Sequence, residues 1–117
     1  MQYMRVYAPV DLDAIVFNLE SMRKNIDRVT GMLGVIKADA YGHGSVPVAA
    51  AIEDYVDGFA VATADEAMLL RRNGIQKMIL ILGVTHPSRY QELIENEIRP
   101  AIFTMEQAKP LSEAAVT

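Results

Sequence analysis

The chain has 117 residues, 51% hydrophobic and 22% charged, which fits one globular domain and excludes a disordered or fibrous composition. A net charge of -4 with scattered basic residues offers nothing for nucleic acid or an anionic membrane surface, and no apolar run approaches the roughly 20 residues of a membrane span. With no cysteine, two histidines and an opening "MQYMRVYAPV" that lacks the apolar core of a secretion signal, a cytoplasmic protein of small-molecule chemistry without a metal site is the expectation.

From Leu12 to Val29, the residues Ile15, Leu19, Met22, Ile26 and Val29 fall at spacings of four and three, which predicts a helix with Asp11 or Asp13 as N-cap. Next come "MLGVIK" as a short strand, "ADAYGHG" as a loop and "SVPVAAAIEDY" as a helix with Ser45 as N-cap and Pro47 in the first turn. The strand "FAVA" leads into "TADE", where Thr63 and Glu66 form a capping box. That helix is expected to end at Gly74 in the left-handed conformation, with Arg71 and Arg72 facing its negative end. "KMILILG", the loop "VTHPS" and the helical "RYQELIENE" repeat the plan. "RPAIF" then starts a fifth unit, with a second capping box from Thr104 to Gln107.

Strands alternating with helices over short connections predict an α/β fold with about four parallel strands joined by right-handed crossovers. No linker divides the chain. Pro110 is expected to kink or end the last helix, and both outer strands would present unpaired edges.

Lys37 follows the first strand at its carboxyl end, where α/β folds place their functional groups. An amine held there loses hydration, which favours its neutral, nucleophilic form. Alone it would be a solvated lysine that ends a strand. Tyr41 can reach the same cleft with a phenol suited to an anion, and Gly42 and Gly44 let the backbone turn toward a ligand. His43 is better explained by a structural hydrogen bond than by proton shuttling, and Asp11 and Asp13 by capping. His86 reads as a loop residue. Leu82 and Gly83 end the third strand and could border a cofactor ring, although packing alone would account for the leucine.

"VIKADAYGHG" resembles the pyridoxal-phosphate lysine motif of bacterial alanine racemases. "YAPVDLDAIVFNL", "FAVATADEAMLLRRNGI" and "ILILG" agree in order and spacing, the similarity weakening after His86. The resemblance implies that Lys37 carries pyridoxal 5'-phosphate as an internal aldimine and later acts as one of two bases, that Tyr41 holds the cofactor phosphate, and that Leu82 lies close to the cofactor. It further implies a cytoplasmic homodimeric enzyme interconverting L- and D-alanine for cell-wall precursors.

Members of that family are much longer, with a full eight-stranded (β/α) barrel and a separate β-rich domain. The present chain therefore reads as the N-terminal half of a TIM-type barrel over Leu12 to Thr117, with Met1 to Asp11 packing on the C-terminal domain. The opposing tyrosine base and the arginines near the pyridine nitrogen and the substrate would lie beyond Thr117. The isolated chain is expected to be inactive and to self-associate through its sheet edges. A non-catalytic pyridoxal-phosphate carrier, or a racemase for serine or another amino acid, stand as alternatives.

Overall fold

The computed structural model describes residues 6–117. Four short strands, β1 (Leu33–Val35), β2 (Gly58–Val61), β3 (Met78–Ile81) and β4 (Ile98–Pro100), form one parallel sheet in chain order. Parallel neighbours require a crossover, and here helices supply it. They are α3 (Ser45–Ile52), α4 (Ala64–Arg72) and α5 (Tyr90–Glu95), with α1 (Leu12–Lys24) before the sheet and α6 (Met105–Ala115) after it. A five-residue turn, α2 (Lys37–Tyr41), sits between β1 and α3. This is the expected α/β arrangement of a partial (β/α) barrel.

The two faces of the sheet differ. A Cβ on Gly34 would meet Ile52 and Phe59, so Gly34 faces the helices. There Phe59, Val61, Ile79 and Ile81 pack with Val48, Leu70 and Leu93 in the buried core. Burying each such side chain contributes about 1.5–3 kcal/mol. The alternation of a strand sends Leu33, Val35, Leu80 and Arg99 to the other face. A Cβ on Gly58 would meet Met78 and Leu33 there. That face is open: Leu33 and Val35 are 40% and 42% exposed.

Local chemistry sets the element ends. The Asp11 carboxylate accepts from the Ala14 amide and caps α1. The Thr63–Glu66 capping box starts α4, and Gly74 (φ 89°) follows its end in the left-handed conformation, as expected. Gln107 accepts from the Phe103 and Thr104 amides and so closes the front of α6.

Four expectations change. Helix α1 stops at Lys24, and Ile26 and Val29 lie outside it. Asn25 bonds back to the Ser21 carbonyl, Asp27 turns the chain by accepting from the Val29 amide, and Arg23 donates to the Arg28 and Thr30 carbonyls. Gly44, not Ser45, is the N-cap of α3: its carbonyl accepts the first helical bond, from the Val48 amide, and the Asp39 carboxylate takes the free Ser45 amide. Strand β4 begins at Ile98, ahead of the predicted "RPAIF". Pro110 does not end α6, which continues to Ala115 while Leu111 and Ala114 pack against the core. Of the N-terminal segment, Met1–Arg5 lie outside the described residues. Among the described residues no helix is long and apolar enough to cross a membrane.

Candidate active site

The ladder runs slightly past the strands, since the Ile36 amide donates to the Ala60 carbonyl at 3.0 Å and the Leu82 amide to the Val61 carbonyl at 2.8 Å. The paired register across the sheet is Val35, Ala60, Leu80 and Arg99. Two residues further on, the same register reads Lys37, Ala62, Leu82 and Ala101. Ala62, Leu82 and Ala101 continue the open face at the carboxyl edge of the sheet, while Lys37 follows β1 at the same edge, where Ile36 (ψ 30°) has already left the extended conformation. Lys37 and Leu82 stand two strands apart, roughly 10 Å at the usual strand spacing.

Beyond Lys37 the backbone departs from the expected loop. Ala38, Asp39, Ala40 and Tyr41 all have positive φ, between 51° and 56°, so α2 is one turn of left-handed helix built without glycine. Such a conformation costs roughly 1–2 kcal/mol per L-residue. Several contacts offset that cost. The Ala40 amide donates to the Ile36 carbonyl and the Gly42 amide to the Ala38 carbonyl, while the Ala40 side chain is buried in the core. Asp39 closes the far end, its carboxylate accepting from the Ser45 amide at 2.8 Å and its carbonyl from the Gly44 amide at 2.8 Å. Gly42 and Gly44, with φ of 90° and 93°, continue the reversal.

At the near end, Glu66 reaches across from α4. One carboxylate oxygen accepts from the Ala62 and Thr63 amides at 2.9 and 3.0 Å, and the other from the Ala38 amide at 2.6 Å. The capping box was legible in the sequence, but the second contact spans 28 residues and was not. Gly83 has a similar hidden requirement: a Cβ there would lie 2.7 Å from the Ala62 carbonyl oxygen.

The predicted site residues fall as follows. Lys37 is half-buried at the strand end, and the ion pairs among the described residues, Arg89 with Asp65 and with Glu92, leave it aside. Leu82 follows β3 at the same edge of the sheet and is 42% exposed. Tyr41, 60% exposed, ends the left-handed turn.

His43 behaves structurally, with Nδ1 2.9 Å from the Ala40 carbonyl oxygen, and His86 accepts from the Ser88 amide in its loop. Arg71 does more than face a helix end. Its guanidinium donates to the carbonyls of Ile75, Lys77, Asn96 and Glu97. Burial lowers its pKa from the ordinary value while Glu97 and Glu53 pull it back up. Among the described residues no group of three or more His, Cys, Asp or Glu side chains could hold a metal ion.

A family model described as the alanine racemase N-terminal domain matches residues 10–117. The sequence is 42% identical over 114 residues to alanine racemase 2 of Oceanobacillus iheyensis, covering 97% of this chain and 29% of that protein. Among solved structures, the alanine racemase of Clostridium difficile 630 superposes with a TM-score of 0.87 at 40% identity, over 90% of this chain and 28% of that one. A histidine racemase from Leuconostoc mesenteroides superposes with a TM-score of 0.81 at 30% identity, over 90% of this chain and 28% of that one. The present chain thus spans less than a third of the length of these relatives. With more than nine-tenths of its residues matched by the family model, the chain belongs to the alanine racemase N-terminal domain family.

Proposed function

We propose that this chain is the cofactor-anchoring half of the barrel of an alanine racemase, with Lys37 as the amine that binds pyridoxal 5'-phosphate covalently, Tyr41 as the phenol that holds its phosphate, and Leu82 as the apolar neighbour of its ring. The observation that carries this reading is the carboxyl edge of the sheet, where a primary amine follows β1 and an exposed leucine follows β3. The residues fit the group: an amine for the aldehyde, an apolar floor for a flat ring, and a phenol able to donate to an anion.

When bound, the cofactor supplies the electron sink that makes an amino acid's α-proton acidic. Once the amino group of the substrate had displaced it from the cofactor aldehyde, the freed Lys37 amine would exchange that proton with the α-carbon on its own side. Inversion needs a second acid–base group on the opposite side, and Ala62, Leu82 and Ala101 at the same edge provide none. The 117-residue chain alone is therefore expected to bind cofactor without racemising alanine, and residues 12–117 are read as half a barrel, with Met1 to Asp11 contacting a further domain.

The test is reduction with borohydride in the presence of pyridoxal phosphate, followed by intact mass and peptide mapping. One adduct at Lys37, lost in Lys37→Ala, is expected. Modification spread over Lys24, Lys77 and Lys109 would overturn the assignment.

The histidine racemase similarity favours a second reading of the substrate, a racemase for another amino acid on the same anchor. A non-catalytic carrier would show the Lys37 adduct with no proton exchange in any longer form of the protein. The open edge of β1 borders a groove of about 360 Å³ lined by Ile15, Leu19, Met32 and Val35, which supports self-association of the isolated chain. Family membership also supports a homodimeric, cytoplasmic enzyme making D-alanine for the cell wall.

A further inference from the structure

We propose that Glu66 is a positioning residue for Lys37: besides capping α4, its carboxylate holds the left-handed turn behind the amine and so sets where the amine points. The cofactor role of Lys37 is taken from the reading above, whereas the hold on the turn stands on geometry alone.

The capping task needs only one oxygen. In α6, Gln107 performs it with a single side-chain oxygen that accepts from the two amides at Phe103 and Thr104. In α4, Glu66 does the same with Oε1 toward Ala62 and Thr63. Glutamine and glutamate serve a capping box alike, so the cap does not explain a carboxylate. The second oxygen does. Oε2 accepts from the Ala38 amide at 2.6 Å, on the residue that follows Lys37 and opens the left-handed run. That amide lies in the first turn and has no partner within its own helix. One side chain therefore ties the carboxyl end of β2 to the carboxyl end of β1, at the point where the backbone enters a conformation that alanine disfavours.

Glu66→Gln separates the two tasks. Its amide oxygen can keep the cap, but its NH2 group would then face the Ala38 N–H, donor against donor. Thr63→Ala is the converse control, weakening the cap while leaving the Ala38 contact intact.

The measurements are the intraresidue amide-to-α-proton NOE at Ala38 to Tyr41, strong only at positive φ, and the rate of borohydride-trapped pyridoxal phosphate adduct at Lys37 relative to the exposed Lys24 and Lys109. Glu66→Gln is expected to keep its fold, lose the strong NOEs at Ala38 and Asp39, and label Lys37 at least roughly tenfold more slowly against those standards. Thr63→Ala should keep both signals. Adding Ala38→Gly to Glu66→Gln should restore labelling, since glycine takes positive φ without strain.

Wild-type NOEs and labelling in Glu66→Gln would overturn the proposal. So would unprotected hydrogen exchange of the Ala38 amide in the unaltered chain, a measurement that survives even if Glu66→Gln does not fold. Absence of a Lys37 adduct in every form, with the NOEs still lost in Glu66→Gln, would support the hold on the turn and defeat the cofactor reading instead.

Discussion

Replacing Arg71 by alanine should be among the most damaging changes to a side chain that is not in the core. The guanidinium donates four hydrogen bonds to backbone carbonyls, at 2.8 Å to Asn96, 2.9 Å to Ile75, 2.8 Å to Lys77 and 3.0 Å to Glu97. These acceptors follow α4, precede β3 and end α5, so one side chain fastens two β/α units together. Glu97 also needs help, because it ends α5 at φ 53° where glycine or asparagine is usual.

Hydrogen bonds from a charged donor contribute about 1.5–3 kcal/mol each, which would sum to roughly 6 kcal/mol or more. The bonds share one side chain and water can reach some of the acceptors, so the expected loss is about 2–4 kcal/mol. For a domain of this size that lowers Tm by roughly 10 °C or more. Arg71→Lys keeps the charge but not the planar fork, and should fall nearer to alanine than to the parent. Because the guanidinium stays protonated at ordinary pH, the difference should not vary between pH 6 and about 9. Thermal and urea unfolding followed by circular dichroism measure it. A loss below about 0.5 kcal/mol for Arg71→Ala, typical of an unconstrained surface change, would refute the fastening role.

Gly83→Ala should destabilise by about 1–3 kcal/mol, because the added methyl would lie 2.7 Å from a backbone oxygen that cannot step aside. Its urea midpoint tests this, and an unchanged midpoint would count against the close approach. Leu69 and Leu70 are neighbours in α4 with 39% and 0% exposure. Leu70→Ala should therefore cost about 2–5 kcal/mol and Leu69→Ala well under half of that, as read from paired unfolding curves. The isolated chain should scatter light as more than a monomer at micromolar concentration, and Val35→Lys on the exposed edge strand should shift it toward monomer. A clean monomer before the substitution would remove the edge-pairing reading.

Much of the fold was legible because it follows from short-range rules. Thr63 with Glu66, Gly74 after a helix, and strands bounded by capping residues are signals that act within a few positions. Where the structure departs from the sequence pattern, competing side-chain contacts or packing outweigh the residue spacing. Ile26 and Val29 continued a helical spacing, yet Asn25, Asp27 and Arg23 capture the backbone there and turn it. Pro110 should have weakened its helix, but α6 is carried past it while Leu111 and Ala114 pack against the core.

The region around Lys37 divides along the same line. Sequence alone determined that a lysine closely follows the first strand, that glycines come after it, and that helix α4 begins with a capping glutamate, because these depend on local residue order. Tertiary structure alone decided that Ala38 to Tyr41 wind left-handed and that Glu66 spends its second oxygen on Ala38. The physical reason is strain. Alanine and tyrosine have no local preference for positive φ, so that conformation exists only where contacts from Asp39, Glu66 and the core outweigh its cost, and the Glu66 contact comes from 28 residues away.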